Sequence, residues 1–278
     1  MFLRLLNISR PRFWMYALGP FLIGVGAFVP INEAVAFNSD IIWWLVYFTL
    51  PANLFVYGIN DLGDGDTDAF NEKKGTYEER ITNSDRNILI TAIILLQLPF
   101  IPLFLRSSAP ELIALLIFFL FNIFYSLPPV RIKAIPFFDS LSNGLFYVTP
   151  GIIGYFAAGG KVLWWLPVLS GALWSSVMQA YSAIPDIEAD RKAGISTIAT
   201  VLETKKTLYA CLVGYILASL CLVVSGFYIH SLLIIPYLIL IGASFYVFNK
   251  KGTIFSVYKV YPFVTYVIGA LVYYLNTH

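Results

Sequence analysis

Nine long apolar stretches govern what this chain can become, at about residues 13–29, 41–60, 87–105, 111–127, 140–158, 163–185, 207–228, 231–249 and 257–275. A helix needs roughly 20 such residues to cross the hydrocarbon of a bilayer. In lipid every backbone N–H and C=O must find its partner within the protein, and uninterrupted apolar runs do this as helices. The expectation is an all-α integral membrane protein with nine transmembrane helices. Composition excludes a soluble domain: 12% of residues are charged and the mean hydropathy is +0.76, against about 25% charged in soluble chains. A net charge of +2 gives no reason to expect nucleic acid as a partner.

The few charges are placed with a strong bias. Arg4, Arg10, Arg12, Lys73, Lys74, Arg80, Arg86, Arg131, Lys133, Arg191, Lys192, Lys205, Lys206, Lys250, Lys251 and Lys259 fall on alternate loops on the amino-terminal side, and only Arg106 and Lys161 on the other. By the positive-inside rule the amino terminus and these loops face the cytoplasm, in the cell membrane. Most of these cations need only anchor helix ends to lipid headgroups. The basic start before the first apolar stretch resembles a signal peptide, but no small-residue cleavage site follows, so it reads as the first membrane helix. Trp43, Trp44, Trp164 and Trp165 stand where interfacial anchors are expected. Asn53, Asn122, Asn143 and Gln179 lie at membrane depth, where helix-to-helix hydrogen bonds account for them as well as catalysis does. Cys211 and Cys221 share one apolar run, ten residues apart, and cannot bridge each other on a straight helix; His230 and His278 are isolated in the sequence, so no histidine metal site is expected.

Carboxylates gather at two places. The second stretch runs into Tyr57-Gly-Ile-Asn-Asp-Leu-Gly-Asp-Gly-Asp-Thr-Asp68, and the sixth into Tyr181-Ser-Ala-Ile-Pro-Asp-Ile-Glu-Ala-Asp190. On a continuing helix Asp61, Asp64 and Asp68 share one face, with Asn60 beside it; Asp186 and Asp190 share another, while Glu188 points away. Adjacent carboxylates repel unless a cation lies between them. Oxygen donors without nearby His or Cys suit Mg2+ better than zinc. Solvated helix ends are the plainer alternative, but two such clusters, both cytoplasmic, suit a diphosphate held through metal ions. Loss of an allylic diphosphate needs its growing negative charge neutralised, and cations at Arg10, Arg131 and Lys133 are suited to help. The Pro-Pro break in Tyr125-Ser-Leu-Pro-Pro-Val-Arg-Ile-Lys133 is expected to end the fourth stretch and aim Arg131 and Lys133 inward.

Asn60-Asp61-x-x-Asp64-x-x-x-Asp68, Tyr125-Ser126-x-x-Pro129-x-Arg131-x-Lys133 and Asp186-x-x-x-Asp190-x-x-x-Gly194, in this order, resemble the UbiA superfamily of intramembrane prenyltransferases. The resemblance implies one helical domain over residues 1–278, built around a central cavity open to the lipid. It implies Mg2+-dependent transfer of a prenyl group from an allylic diphosphate to a lipophilic acceptor. By position, Asn60, Asp61, Asp64 and Asp68 would bind metal and diphosphate on one side, Asp186 and Asp190 on the other, and Arg131 and Lys133 would contact the diphosphate. Ser9-Arg-Pro-Arg-Phe-Trp-Met-Tyr16 and Thr67-Asp-Ala-Phe-Asn-Glu-Lys-Lys-Gly75 are similar to lycopene elongases, the carotenoid branch. Glu78-Glu79-Arg80 stands where many quinone-type members carry an Arg-Pro stretch. The likeness of the second and sixth stretches hints at an internal duplication. Quinone, chlorin or glycerol-lipid acceptors and terpene cyclisation stay open. So, more distantly, does a transporter, although transporters place their ionisable groups nearer the bilayer midplane.

Overall fold

The computed structural model describes residues 2–28, 38–64, 81 and 85–278. Among them the only regular structure is helical. The helices are α1 (Phe2–Ile8), α2 (Met15–Phe28), α3 (Ser39–Tyr47), α4 (Leu50–Gly63), α5 (Arg86–Gln97), α6 (Ile101–Arg106), α7 (Ala109–Ser126) and α8 (Phe138–Ala157). They continue as α9 (Trp165–Ser182), α10 (Ile187–Lys192), α11 (Ile198–Val224), α12 (Tyr228–Leu232), α13 (Ile235–Asn249), α14 (Phe255–Tyr258) and α15 (Tyr261–Thr277).

Each of the nine apolar stretches carries helix, but their suitability for crossing a membrane differs. Six segments are long and apolar enough: Ser39–Gly63, Arg86–Arg106, Ala109–Ser126, Ile198–Val224, Tyr228–Asn249 and Phe255–Thr277. Helix α2 is apolar but only 14 residues long. Helices α8 and α9 have the length but are diluted by polar residues, among them Asp139, Ser140, Ser142 and Asn143 in α8 and Ser175, Ser176 and Gln179 in α9. Large apolar side chains such as Leu105, Ile113, Val224, Ile239 and Phe263 stand exposed on the outer surface. Apolar exposure on this scale suits lipid tails rather than water. The chain is a multi-pass membrane protein.

Two compact units can be distinguished: Met1–Arg131 with Thr149–Lys161 and Asn276–His278, and Ile132–Val148 with Val162–Leu275. Helix α8 gives its first half to the second unit and its remainder to the first. The core of the first unit is aromatic. Trp44 stacks on Phe48 with ring centroids 5.6 Å apart, Tyr47 meets Phe100 edge-on at 5.1 Å, and Phe55 meets Phe119 at 4.7 Å. Trp44 is therefore no interfacial anchor: it is fully buried and its indole N–H donates to Glu111 at 3.3 Å. Trp43, Trp164 and Trp165 are exposed. In this unit α2 meets the later part of α8 backbone to backbone. A Cβ on Gly24 would lie 1.9 Å from the Gly151 carbonyl oxygen, and one on Gly154 would lie 2.2 Å from that of Phe21. Only glycine permits such contact.

The second unit is built around tyrosines. Tyr181, Tyr215, Tyr237 and Tyr261 are buried, Tyr181 hydrogen-bonds Ser244 at 2.7 Å, and Tyr215 bonds Tyr261. Buried amides find partners closer to home than expected. Asn53 donates to the carbonyls of Phe48 and Thr49, Asn122 to Phe118, and Asn143 to Asp139. These are bonds back to the preceding turn rather than bonds between helices, because a short amide reaches the carbonyl four residues earlier most readily. Cys211 and Cys221 are both free thiols.

Candidate active site

Helix α4 delivers the first acidic motif. Pro51 sits at its start, where the missing N–H costs nothing. Its end is set by Gly63, whose added Cβ would lie 2.3 Å from the carbonyl oxygen of Ser126, the last residue of α7. The two helix ends therefore touch through their backbones. Asp64 is the residue after α4, at φ −101 and ψ 7. Asp68 lies outside the described residues.

Asp61 and Asp64 diverge in environment. The Asp61 carboxylate is buried and accepts from the Arg10 guanidinium at 2.7 Å; their side chains are 1% and 10% exposed. Arg10 is held in the left-handed backbone region at φ 52, and its guanidinium lies over the Tyr57 ring, 4.9 Å from the centroid. Asp61 is thus tied to a cation. Asp64 is more open and lies 3.7 Å from Arg131. Arg131 also donates to the Gly63 carbonyl at 3.2 Å, placing a cation at the negative end of α4. Ser126 donates to the Asn60 side-chain oxygen at 3.4 Å. Asn60, Asp61, Asp64, Arg10 and Arg131 are thereby gathered at one end of the first unit.

The second motif is built in the second unit. Pro185 follows the end of α9, and a 3₁₀ turn, Ile184–Asp186, leads into α10. Asp186 is the residue before α10 and Asp190 lies within it. Both are half-buried, while Glu188 is exposed and pairs with Arg191 at 3.3 Å. Gly194, at φ 69, adopts the left-handed turn that ends the helix, and Ile195 N–H returns to the Asp190 carbonyl at 2.8 Å. The reversal lets Thr197 Oγ1 donate to Asp190 Oδ2 at 3.4 Å. Lys133, in the 3₁₀ turn Ile132–Ala134, is buried in this unit.

Among the described residues no three His, Cys, Asp or Glu side chains form a metal-binding group. The side chains of Asn60, Asp64, Asp186 and Asp190 offer oxygen donors, the type Mg2+ prefers. Mg2+ characteristically takes one or two carboxylates and completes its octahedron with water and substrate phosphates. Asn60 with Asp64, and Asp186 with Asp190, offer such sparse all-oxygen sets, with cations beside the first. The spacing of acidic residues gave no sign of Asp139 or Thr197. The signal for Asp139 is the Asp-Ser-Leu-Ser-Asn run 139–143, a polar patch opening an apolar stretch.

A lycopene elongase/hydratase from Haloarcula japonica is 37% identical over 95% of this chain and 88% of its own length. Another from Halobacterium salinarum is 42% identical over 76% of this chain and 75% of its own. A UbiA homologue from Archaeoglobus fulgidus, solved bound to DMAPP and Mg2+, superimposes with a TM-score of 0.77 over 99% of both chains at 19% identity. The model of the UbiA prenyltransferase family matches residues 17–272. With nearly its whole length matched, the chain belongs to the UbiA prenyltransferase family.

Proposed function

We propose that this prenyltransferase moves a five-carbon allylic group from dimethylallyl diphosphate to lycopene or a related linear carotenoid, with Mg2+ as cofactor. The observation that carries the reaction is the end of α4, where Asp64 and the Arg131 guanidinium meet 3.7 Å apart beside the buried Arg10–Asp61 pair. Carboxylates and guanidinium groups together are what a metal-bound diphosphate needs. The acceptor rests on the relatives named lycopene elongase/hydratase.

In this reading Asn60, Asp64, Asp68, Asp186 and Asp190 hold Mg2+, and Arg10, Arg131 and Lys133 bind diphosphate oxygens. Bound Mg2+ would supply Lewis-acid neutralisation of the leaving diphosphate. Arg131, fixed by the Gly63 carbonyl, meets the charge that develops as the allylic C–O bond breaks and its electron pair leaves with the diphosphate. Asp61 keeps Arg10 oriented without competing for the metal. The allylic carbon then bonds to the terminal double bond of the acceptor, whose new tertiary cation loses a proton or takes up water and then loses one.

The enzyme crosses the cell membrane nine times around a cavity open to lipid, as a single functional domain over residues 1–278, with the second and sixth spans as duplicated elements. The acidic motifs and the amino terminus are cytoplasmic, an orientation supported by the Lys and Arg bias among its loops. Expression in a lycopene-producing bacterium, followed by chromatography and mass spectrometry of the pigments, tests the proposal. Carotenoids longer than lycopene by one and two five-carbon units are expected. Unchanged lycopene would move the acceptor to quinones or other lipids.

A further inference from the structure

The geometry points to Asp139 as a positioning residue for the second acidic motif, acting on Asp190 through Thr197. This inference rests on the proposed Mg2+-diphosphate reading of that motif. Asp139 opens α8 and is 1% exposed, an unusual place for a carboxylate. Its Oδ2 accepts the backbone N–H of Ile198, the first residue of α11, at 3.1 Å. The preceding residue is Thr197, whose hydroxyl reaches Asp190.

The turn carrying these residues is not held by the rest of α11. Glu203, at φ 62 and ψ 163, interrupts the helix after a single turn, so residues 198–202 are separated from the long apolar segment behind them. Local bonds must therefore fix this turn. Thr197 N–H donates to Thr200 Oγ1 at 2.8 Å, Thr200 N–H donates back to Thr197 Oγ1 at 3.3 Å, and Arg191 pairs with Glu203. These bonds shape the turn but all lie within 190–203. The Asp139 carboxylate ties it to α8, and at a helix start its negative charge also complements the exposed N–H groups.

Helix α8 is a rigid support for that tie. An added Cβ on Gly144 would lie 2.3 Å from Ser176 Oγ and 2.6 Å from the Ala172 carbonyl oxygen, so α8 and α9 are in near-backbone contact. Ser175 Oγ donates to the Asn143 carbonyl at 3.0 Å, and Asn143 donates to that of Asp139 at 2.8 Å. The motif at 186–190 leaves α9 at one end and enters the α11 turn at the other. Helix α8 thus braces both of its ends: α9 by close packing, the α11 turn by one carboxylate.

The test uses the full chain in detergent with dimethylallyl diphosphate, Mn2+ binding read by EPR, and the Mg2+ dependence of turnover. Groups that orient metal ligands typically matter by 10–100-fold in metal affinity or activity. Asp139→Leu is expected to weaken Mn2+ binding about tenfold and raise the Mg2+ needed for half-maximal rate alike, leaving KM for lycopene unchanged. Asp139→Asn, which retains an oxygen for Ile198 N–H, should stay near wild type. Thr197→Val should reproduce the Asp139→Leu defect, Thr197→Ser should not, and the Asp139→Leu/Thr197→Val double variant should be no worse than the poorer single. Should Asp139→Leu fail to fold, the Thr197 pair decides the matter alone. Wild-type Mn2+ affinity in Thr197→Val, or lowered thermal stability with unaltered Mn2+ affinity in Asp139→Leu, would overturn the relay. A wild-type protein that binds no Mn2+ beside the diphosphate would instead overturn the metal reading itself, and the relay with it.

Discussion

Asp61→Ala separates two roles that the sequence leaves merged, metal ligand and ion-pair partner. The Arg10–Asp61 pair is buried, at 10% and 1% side-chain exposure and 2.7 Å separation. Removing one member of such a pair strands the other charge away from water and costs about 3–5 kcal/mol. The contact of Arg10 with the Tyr57 ring is present in both proteins and so cancels in the difference. Taking 3 kcal/mol as the net loss, and about 2–4 °C per kcal/mol for a chain of this size class, Asp61→Ala should melt about 6–12 °C lower. Removing both charges leaves nothing stranded, so Arg10→Ala/Asp61→Ala should recover most of that loss while staying inactive for want of Arg10. Thermal unfolding of purified protein in detergent without divalent cations reads this directly. The contrary result is an Asp61→Ala protein that melts like wild type in EDTA. That result would refute the ion-pair assignment.

Other outcomes follow from the same geometry. Asp64→Ala and Asp186→Ala should each lower kcat by about a hundredfold or more, as loss of a group stabilising developing charge does; steady-state rates in a folded variant check this. EDTA should stop turnover and added Mg2+ restore it, measured in membranes by product formation. Gly63→Leu places a side chain where even a Cβ lies 2.3 Å from the Ser126 carbonyl, so α4 and α7 must part. Overpacking of this kind costs about 1–3 kcal/mol, read as a lower melting temperature together with lost activity as Asp64 shifts from Arg131.

The parts written into local sequence proved easiest to read. Long apolar runs dictate membrane helices because lipid leaves the backbone no other partner. Gly63, Pro185 and Gly194 mark the ends of helices at which carboxylates collect, and each does so through its own backbone chemistry. What escaped depends on residues distant in the chain. Trp44 sits next to Trp43 and looks like a belt residue, but Glu111, 67 positions later, gives its N–H a buried partner. Asp61 shares helical spacing with Asp64, yet Arg10, 51 positions earlier, claims it. Asp139 is one carboxylate beside an apolar run, and only the return of the chain to Ile198 shows what it holds. Polar residues inside α8 and α9 lower the hydropathy of those two helices, and one of them, Ser175, bonds across to the Asn143 carbonyl.

The most direct measurement incubates purified protein in nanodiscs with lycopene, isotope-labelled dimethylallyl diphosphate and Mg2+, with products resolved by liquid chromatography and mass spectrometry. Carotenoids carrying one and then two labelled five-carbon units, formed only with Mg2+ and not by Asp186→Ala, are the expected result. Hydrolysis of the diphosphate with lycopene returned unlabelled would contradict carotenoid prenyl transfer.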